Sequence, residues 1–508
     1  MKSEESVPDP SDRARSSTET GHCGSVQEDA EKECSPKAVQ SLYCILSEKE
    51  KIFTICVCSL VTFLGPVAGS MYLPAIGSLA SDLHVSTAKI YLTLTTYKIF
   101  QAVTPLLTAG LSDQTGRRPI LLSCLFVFIC TGIGLASQTN YAAVLVLRCV
   151  QGIVAGTSTI VAFASITDLV TRGERGKYIF YSSIGMTIGP SIGPTLGGLV
   201  TQYLGWRSVF WFMSITAGVL LLIILSVLRE TCRAVVGNGS LPPQPWNKCA
   251  LQLVNPSRHE PEPKTRIIFR KRLGVLGTLK ILHDRHVALL VLCSATCFCT
   301  STAIFNGLAY LLEQKYHLEP LYVGLCYLPF TLGSCTTRWT AGTLADRLFK
   351  YYARQVGEDI QPNRQCPTQI QRIPLEKARL VLALPFVYFY TLCIIAFGWV
   401  MNYNVHLAGP LVLLFFCGNA SSGVNNTLSM LVADLNVTRP ASARAVMSMV
   451  NWLASAGASA AIIPLINAIG MGWLGVLLGG MMILVSPALW ALYFWGKGWR
   501  DRKASAVE

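Results

Sequence analysis

The feature that most constrains this chain is a series of long, nearly uninterrupted apolar stretches. Each holds about 20 residues, the length that an α-helix needs to cross the hydrocarbon core of a bilayer. Twelve spans are predicted, at residues 52–73, 88–111, 119–137, 141–164, 177–203, 207–228, 287–312, 321–345, 377–399, 405–434, 442–468 and 473–495. Only 14% of the residues are charged, against about 25% in soluble domains. The sequence therefore predicts an all-α polytopic membrane protein.

The spans form two groups of six, separated by a hydrophilic segment that is rich in proline. The predicted domains are a disordered tail at 1–50, a six-helix bundle at 51–229, a linker loop at 230–286, a second six-helix bundle at 287–496 and a second tail at 497–508. The first tail has too few apolar residues to fold alone. No apolar segment lies near Met1, so the first span is expected to be an uncleaved anchor.

The net charge of +14 is explained by topology. With the N-terminus inside, 36 of the 42 Lys and Arg residues lie in inner segments and three in outer segments. Cytoplasmic loops of membrane proteins carry this excess, so both termini are predicted to be cytoplasmic. The basic charge then gives no reason to expect nucleic acid as a partner. Three basic residues remain inside spans: Lys98, Arg148 and Arg338.

A charged motif joins the second and third spans. It contains Gly110, Asp113, Gly116, Arg117 and Arg118. We expect a tight turn in which the carboxylate pairs with a guanidinium and with a neighbouring helix end, forming a latch that breaks when the helices slide. The alternative is an ordinary positively charged loop.

A second copy of this motif ends the eighth span. It contains Gly342, Asp346 and Arg347, at the matching place in the second half. An internal repeat of a helix-connecting motif indicates that the two halves share one fold. Duplicated halves around a site near the bilayer midplane are typical of alternating-access transporters.

Together these motifs resemble the major facilitator superfamily over nearly all of residues 51–496. The segment Gly110 to Pro119 looks like the most diagnostic loop of that family, and Val146 to Gly152 looks like its fourth-helix motif. By the same resemblance, Asp168 is expected to join the network of Asp113 and Arg117. The resemblance implies two six-helix bundles related by pseudo-twofold symmetry.

The fifth span carries glycines and prolines at regular spacing. They are Gly189, Pro190, Gly193, Pro194, Gly197 and Gly198. Glycines four residues apart form a flat face for close helix packing, and prolines bend the helix. This string is similar to the antiporter motif of drug:proton exporters, which favours export over uptake. Other details resemble the fungal quinidine-resistance branch of the twelve-helix drug:proton antiporters.

The intramembrane charges are candidates for substrate or proton sites, since a charge at membrane depth is costly. Arg148, with Gln151 one turn away, is predicted to take part in proton coupling or substrate binding, or else to bond backbone carbonyls. Lys98 stands where relatives carry an aliphatic residue. Its ammonium would favour an anionic substrate, could exchange a proton, or could reach toward the outer headgroups.

Two further polar residues belong to this set. Arg338 is expected to pair with Glu313 or to reach toward the inner surface. Asn451 stands where the branch usually shows an arginine, so the charge of the cavity should differ from that of relatives. No Asp or Glu lies in the middle of a predicted span, which leaves no central carboxylate for proton coupling.

Several classes of function are not supported by the sequence. The seven histidines fall in tails, loops or helix ends, so a di-iron membrane enzyme, which needs clustered histidines, is not expected. The cysteines lie mostly inside apolar stretches and suggest neither a disulfide framework nor a metal site. No enzyme activity and no cofactor are predicted.

The function we predict is secondary active export of a small organic molecule, such as a secondary metabolite, toxin or drug, coupled to inward proton movement. One alternative is an exporter or exchanger of organic acids, and another is a transporter-like receptor without flux. The expected partners are the small-molecule substrate and the lipid bilayer, with the chain acting as a monomer. The plasma membrane is the expected location, and the vacuolar or another internal membrane is the alternative.

Overall fold

The computed structural model describes residues 46–170, 175–237, 244, 247–250, 280–355, 374–403, 405–436 and 440–505. Inside these ranges, the side chains of Asp113, Arg338 and Asp346 and most side chains at 175–187 are outside the description. The predicted tail at 1–50 lies outside it up to residue 45, and so does most of the predicted linker at 230–286.

The described residues form helices and connecting turns, with no strand among them. Twelve helical segments are long enough to cross a bilayer, and we number them α1 to α12. They are α1 Glu48–Ser70, α2 Thr87–Thr115, α3 Arg117–Ser137, α4 Tyr141–Leu169, α5 Arg175–Leu204, α6 Arg207–Ser226, α7 Arg285–Tyr316, α8 320–355, α9 Leu375–Asn402, α10 Ala408–Leu435, α11 440–469 and α12 471–505. The prediction of an all-α membrane fold is confirmed.

Two of these segments are interrupted. The eighth comprises the helices Pro320–Leu325, Leu328–Thr337 and Thr343–Gln355, with a π-helical turn at Arg338–Gly342. The last two form one long helical run, Pro440–Ser505, which is broken at Gly470 by a φ of 75°. Since glycine adopts this conformation without steric cost, Gly470 separates α11 from α12.

Helix ends differ from the predicted span ends where local hydrogen bonds extend the helix. At the start of α1, the Ser47 hydroxyl accepts from the Glu50 N–H (3.3 Å), and the Ser47 N–H donates to the Glu50 carboxylate (3.1 Å). This reciprocal capping starts α1 at Glu48 instead of residue 52. Helix α2 continues to Thr115, so Gly110 is helical and only Gly116, with a φ of 107°, makes the predicted turn.

The helix surfaces suit a lipid environment. Seven helical stretches of the described residues are apolar and long enough to span a membrane, and the one at 442–496 holds both α11 and α12. The four remaining segments, α2, α5, α8 and α10, have the length but carry more polar residues. Large apolar side chains such as Leu107 (64% exposed), Leu392 (65%) and Leu484 (81%) lie on the outside, which lipid contact explains.

Two helix pairs join the halves. Within the first half, α1 packs on α4 and α5, α2 on α4, and α3 on α6, while α8 packs on α10 in the second half. Between the halves, α2 packs on α11 and α5 packs on α8. In two six-helix repeats, α2 corresponds to α8 and α5 corresponds to α11. The contact between α2 and α11 is therefore the counterpart of the contact between α8 and α5, as expected for repeats related by a pseudo-twofold axis.

Candidate functional site

Arg148 is a fully buried cation in the first half, 1% exposed, two turns after the start of α4. Its Nη1 donates to the Gln151 side-chain oxygen (3.0 Å) and to the Ala68 carbonyl oxygen (3.3 Å). Its Cζ lies 4.0 Å from the centroid of the Tyr72 ring and 5.0 Å from that of Phe210. Among the described residues no carboxylate pairs with it, so ring faces and oxygen dipoles stabilise the charge.

Lys98 joins the two halves near the middle of the molecule. The residue is 7% exposed, and its Nζ donates to the Ser459 hydroxyl of α11 (2.8 Å). The Asn306 amide of α7 donates to the same hydroxyl oxygen (2.7 Å), and that hydroxyl donates to the Ser455 carbonyl oxygen (2.7 Å). The structure thus turns Lys98 toward α11 and not toward the lipid headgroups.

Polar residues on the second half form a stripe along α11. Asn451, Ser455 and Ser459 follow each other at a spacing of four, which places them on one helix face. The Asn451 amide donates to the Ser294 hydroxyl of α7 (3.0 Å), and Ser294 donates to the Asn425 side-chain oxygen of α10 (3.0 Å). These groups are neutral, in contrast to the cations of the first half.

Sequence reasoning named only Asn451 from this stripe. Ser455 and Ser459 are 1% and 0% exposed, and hydroxyls of this kind are common in membrane helices. The repeated spacing of four on a single helix was the signal that could have identified them.

The predicted charge network is partly described at the start of α3. The Arg117 Nε lies 3.1 Å from the Asp168 carboxylate at the end of α4, and the Arg117 Nη1 donates to the Ser112 hydroxyl (2.6 Å). The side chain of Asp113 lies outside the described residues, so its place in the network stays a prediction. Arg118 points to α6, where its Nη2 donates to the Leu225 carbonyl oxygen (2.9 Å).

Glu230, just after α6, is an acidic residue of this network that sequence reasoning missed. It is 6% exposed. Its carboxylate accepts hydrogen bonds from the backbone N–H groups of Arg117, Arg118, Thr231 and Cys232 and from the side-chain amide of Asn247. A carboxylate at the N-terminus of α3 satisfies backbone donors and complements the helix dipole. Its position directly after the sixth span was the available signal.

The second half has its own charge pair on the corresponding helices. The Arg379 Nε and Nη2 each lie 3.2 Å from the Asp434 carboxylate. Arg379 starts α9 and Asp434 ends α10, as Arg117 starts α3 and Asp168 ends α4. The structure thus adds Arg379 to the candidate set.

The second copy of the loop motif has few described contacts. Arg347 is exposed, and no neighbouring atom lies within 4 Å of a Cβ built on Gly342. The side chains of Asp346 and Arg338 lie outside the described residues. The role predicted for this copy therefore remains a prediction.

The glycine face of α5 packs first against its own half. A Cβ added at Gly189, Gly193 or Gly197 would meet atoms of α1 or of the residue just after it; at Gly197 it would overlap the Met71 carbonyl oxygen. Helix α5 stays continuous through both of its prolines, Pro190 and Pro194. These three glycines therefore allow α1 and α5 to approach closely.

A second side of α5 contacts the other half. A Cβ at Gly198 would overlap the Pro320 carbonyl oxygen of α8, and a Cβ at Gly324 would overlap the Pro194 carbonyl oxygen. The Thr195 hydroxyl donates to the Gly324 carbonyl oxygen (3.0 Å). Backbone thus meets backbone across the interface, and Gly324 is a residue of this contact that sequence reasoning missed.

Further contacts between the halves lie near the predicted outer ends of the helices. The Tyr91 hydroxyl donates to the Asn306 carbonyl oxygen (2.7 Å), and the Gln202 amide donates to the Glu319 carboxylate (2.5 Å). The Leu321 N–H also donates to the Gln202 side-chain oxygen (3.2 Å). Together with the bonds of Lys98 and Thr195, the hydrogen bonds seen between the described residues of the two halves lie from the predicted middle of the membrane outward. The charge pairs at the predicted inner ends each stay within one half.

Comparison with known proteins agrees with this architecture. The chain is 39% identical over 461 residues to MFS-type transporter R5 of Phoma sp., covering 90% of this chain and 87% of that protein. It is 27% identical over 468 residues to Citrate exporter 1 of Aspergillus niger, covering 90% and 88%. The crystal structure of a D-xylose-proton symporter has the same fold, with a TM-score of 0.62 at 16% identity, covering 86% of this chain and 97% of that one.

The match extends to the sequence model of a whole family. The model described as Major Facilitator Superfamily matches residues 58–464, which include most of the helices and both loop motifs. The resemblance to this superfamily, drawn from the loop and fourth-helix motifs, is confirmed, and an enzyme is excluded as predicted. The chain belongs to the Major Facilitator Superfamily and is a membrane transporter.

Proposed function

We propose that this transporter exports a small organic molecule by alternating access, with protons moving inward in exchange. The observation that carries the proposal is the position of the contacts between the halves. Among the described residues, the hydrogen bonds that join the halves lie from the predicted middle of the membrane outward, through Tyr91, Lys98, Thr195 and Gln202. This arrangement supports a conformation that is closed toward the outside, from which a substrate is loaded on the inner side.

Rigid-body rocking can convert this conformation into its opposite. Each half is held together at its predicted inner end by its own ion pair, Arg117 with Asp168 and Arg379 with Asp434. Among the described residues, movement needs to break the contacts of α2 with α7 and α11 and those between α5 and α8. The backbone contact of Gly198 and Gly324 supplies a surface on which two helices can separate without removing a side chain from a pocket.

Coupling to protons and the direction of export rest on other observations. The glycine and proline string of α5 resembles the antiporter motif, and a relative at 27% identity is named as a citrate exporter. For Arg148 we propose a role in coupling, because this cation is buried without a carboxylate partner among the described residues and has two unbonded nitrogens, Nε and Nη2. A protein partner is not required, and we propose that the transporter acts as a monomer in the plasma membrane.

An organic-acid exporter is the second candidate, and Lys98 is the observation that favours it. Its ammonium is buried between the halves and bonded to a neutral hydroxyl. A carboxylate of the substrate would give this charge a partner.

Vesicle transport tests the main proposal. Proteoliposomes are loaded with citrate or with an uncharged metabolite-like dye, and a pH gradient is imposed while substrate release and internal pH are recorded together. We expect release that is accelerated by the gradient and accompanied by proton entry. Release that ignores the gradient would refute proton exchange, and binding without release would favour the receptor alternative.

A further inference from the structure

We propose that the substrate is an organic anion carrying a carboxylate, held by Lys98 with neutral polar groups of α11, and that its binding replaces the bond from Lys98 to Ser459 between the halves. This inference rests on the proposed export function and names the substrate class. It assigns to Lys98 both the anchoring of the anion and the release of one contact that holds the halves together.

The state of the Lys98 ammonium is the first argument. The group has three N–H donors, and its one described bond goes to the Ser459 hydroxyl (2.8 Å). No ion pair joins it to an acidic side chain among the described residues. A buried ammonium is costly unless it is paired and hydrogen-bonded. An anionic ligand would supply the negative charge that no described side chain provides.

The second argument is the hydrogen-bonding capacity of the surrounding residues. The Ser455 hydroxyl and the Gln101 side-chain oxygen are buried and have no hydrogen-bond partner in the described structure. Gln101 lies three residues from Lys98 on α2. Ser455 lies one helical turn from Ser459, the partner of Lys98, on α11. An organic acid with hydroxyl or carbonyl groups could use these positions.

The bonds of Ser459 explain how an anion could separate the halves at low cost. This hydroxyl accepts from Lys98 and from Asn306 and donates to the Ser455 carbonyl oxygen. If Lys98 turns to a carboxylate, Ser459 keeps the bonds to Asn306 and Ser455, both of which belong to its own half. The Ser459 hydroxyl therefore stays paired after the exchange, which favours release of α2 from α11.

Electrostatics favours an anion over a cation at this place. Lys98 and Arg148 are buried cations of the first half, and the cluster of Ser294, Asn425 and Asn451 in the second half is neutral. Cys299 of α7 is a titratable group of the second half that interacts electrostatically with Lys98. Positive charge in one half and neutral polar groups in the other favour an anion over a cation as the ligand.

Binding to the purified full-length protein tests this site. Isothermal titration calorimetry in detergent micelles compares benzoate with benzamide and citrate with trimethyl citrate, so that each acid has an uncharged analogue. We expect at least one acid to bind about tenfold or more tightly than its analogue, since a hydrogen bond to a charged group is worth about 1.5–3 kcal/mol. Equal binding of acid and analogue in both pairs, or no binding of either acid, would overturn the proposal.

Variants assign the effect to Lys98. Lys98→Met should abolish the preference for the acid and Lys98→Arg should keep it, while Lys89→Met changes an exposed lysine of the same helix and serves as the matched control. Ser459→Ala removes the group that competes for the ammonium, so we expect it to tighten binding of the acid by a few-fold. A gain cannot come from misfolding, and weaker binding in this variant would contradict the proposed exchange.

The outcome separates this inference from the function on which it rests. Proton-driven release of an uncharged compound, with no preference for acids, would refute the proposed anion site and still support the proposed export. Binding of an acid that depends on Lys98, without release from vesicles, would keep the site and overturn export.

Discussion

Glu230 offers a stringent test of how the predicted inner end of the first half is held together. The carboxylate is 6% exposed and accepts five hydrogen bonds, among them those from the Arg117 N–H (2.8 Å), the Arg118 N–H (3.2 Å) and the Asn247 amide (2.7 Å). Gly116 occupies the N-cap position of α3 and has no side chain, and no other described side chain caps this helix end. Replacing Glu230 by alanine therefore leaves several buried donors without an acceptor.

The magnitude follows from the number and type of the bonds. Each hydrogen bond to a charged group contributes about 1.5–3 kcal/mol, but bonds to one carboxylate are not additive. Losing one partner of a buried charged cluster costs about 3–5 kcal/mol, and we expect Glu230→Ala to lower the free energy of unfolding by that amount.

The glutamine variant should cost less, for a reason visible in the structure. In Glu230→Gln one oxygen remains for the Arg117 N–H. Its new amide group can donate to the Asn247 side-chain oxygen, which has no described partner at present. The bonds that this second oxygen accepts from the Arg118 N–H and from the Asn247 amide are both lost, and rotation of the Asn247 amide replaces the latter, so we expect a loss of about 1.5–3 kcal/mol.

Unfolding in mixed SDS and detergent micelles, followed by tryptophan fluorescence, measures these differences. Glu48→Ala is the matched control, because the Glu48 carboxylate is 74% exposed and pairs only with Lys51 in the same helix. Such a pair contributes about 0.2–0.5 kcal/mol. If Glu230→Ala unfolds within 1 kcal/mol of the wild type, as Glu48→Ala should, the reasoning about the Glu230 cluster is wrong.

Two further changes test the contact between the halves and the buried arginine. Gly324→Leu should force α8 away from α5, so that the buried Cys326 reacts several times faster with a maleimide, as measured by peptide mapping. Gly480→Leu is the control, because a side chain at Gly480 meets no neighbour, and it should leave that rate unchanged. Arg148→Lys keeps the charge but loses the planar group on the tyrosine ring, so proton-driven flux should fall about tenfold or more, and Arg207→Lys at an exposed arginine should not change it.

The helices were predictable because the signal that defines them is local. A stretch of about 20 apolar residues can satisfy its backbone in lipid only as a helix, whatever its neighbours are. The predicted span at 119–137 corresponds to α3 at Arg117–Ser137, and the span at 207–228 corresponds to α6 at Arg207–Ser226. Ends were less accurate where side-chain caps act, as Ser47 does at α1.

The candidate site was less predictable because its contacts join distant parts of the chain. Glu230 and Arg117 lie 113 positions apart, and Lys98 and Ser459 lie 361 apart. Whether such residues meet depends on the rotation of each helix about its axis. Helix packing determines this rotation, and the position of an apolar stretch in the sequence does not indicate it. Arg379 was not predicted for the same reason, since the sequence repeat indicates Arg347, which comes earlier in the chain.

The two halves share a scaffold but differ in chemistry, and that difference can link substrate binding to movement. The first half presents the cations Lys98 and Arg148, and the second presents the neutral amides and hydroxyls of Asn451, Ser455 and Ser294. A molecule with an acidic end and a neutral polar end would bind these different groups of the two halves and replace the bond from Lys98 to Ser459. Its departure would leave Lys98 without an anion, and the bond to Ser459 is then the available replacement. An empty transporter would thus return to the conformation in which α2 and α11 are joined.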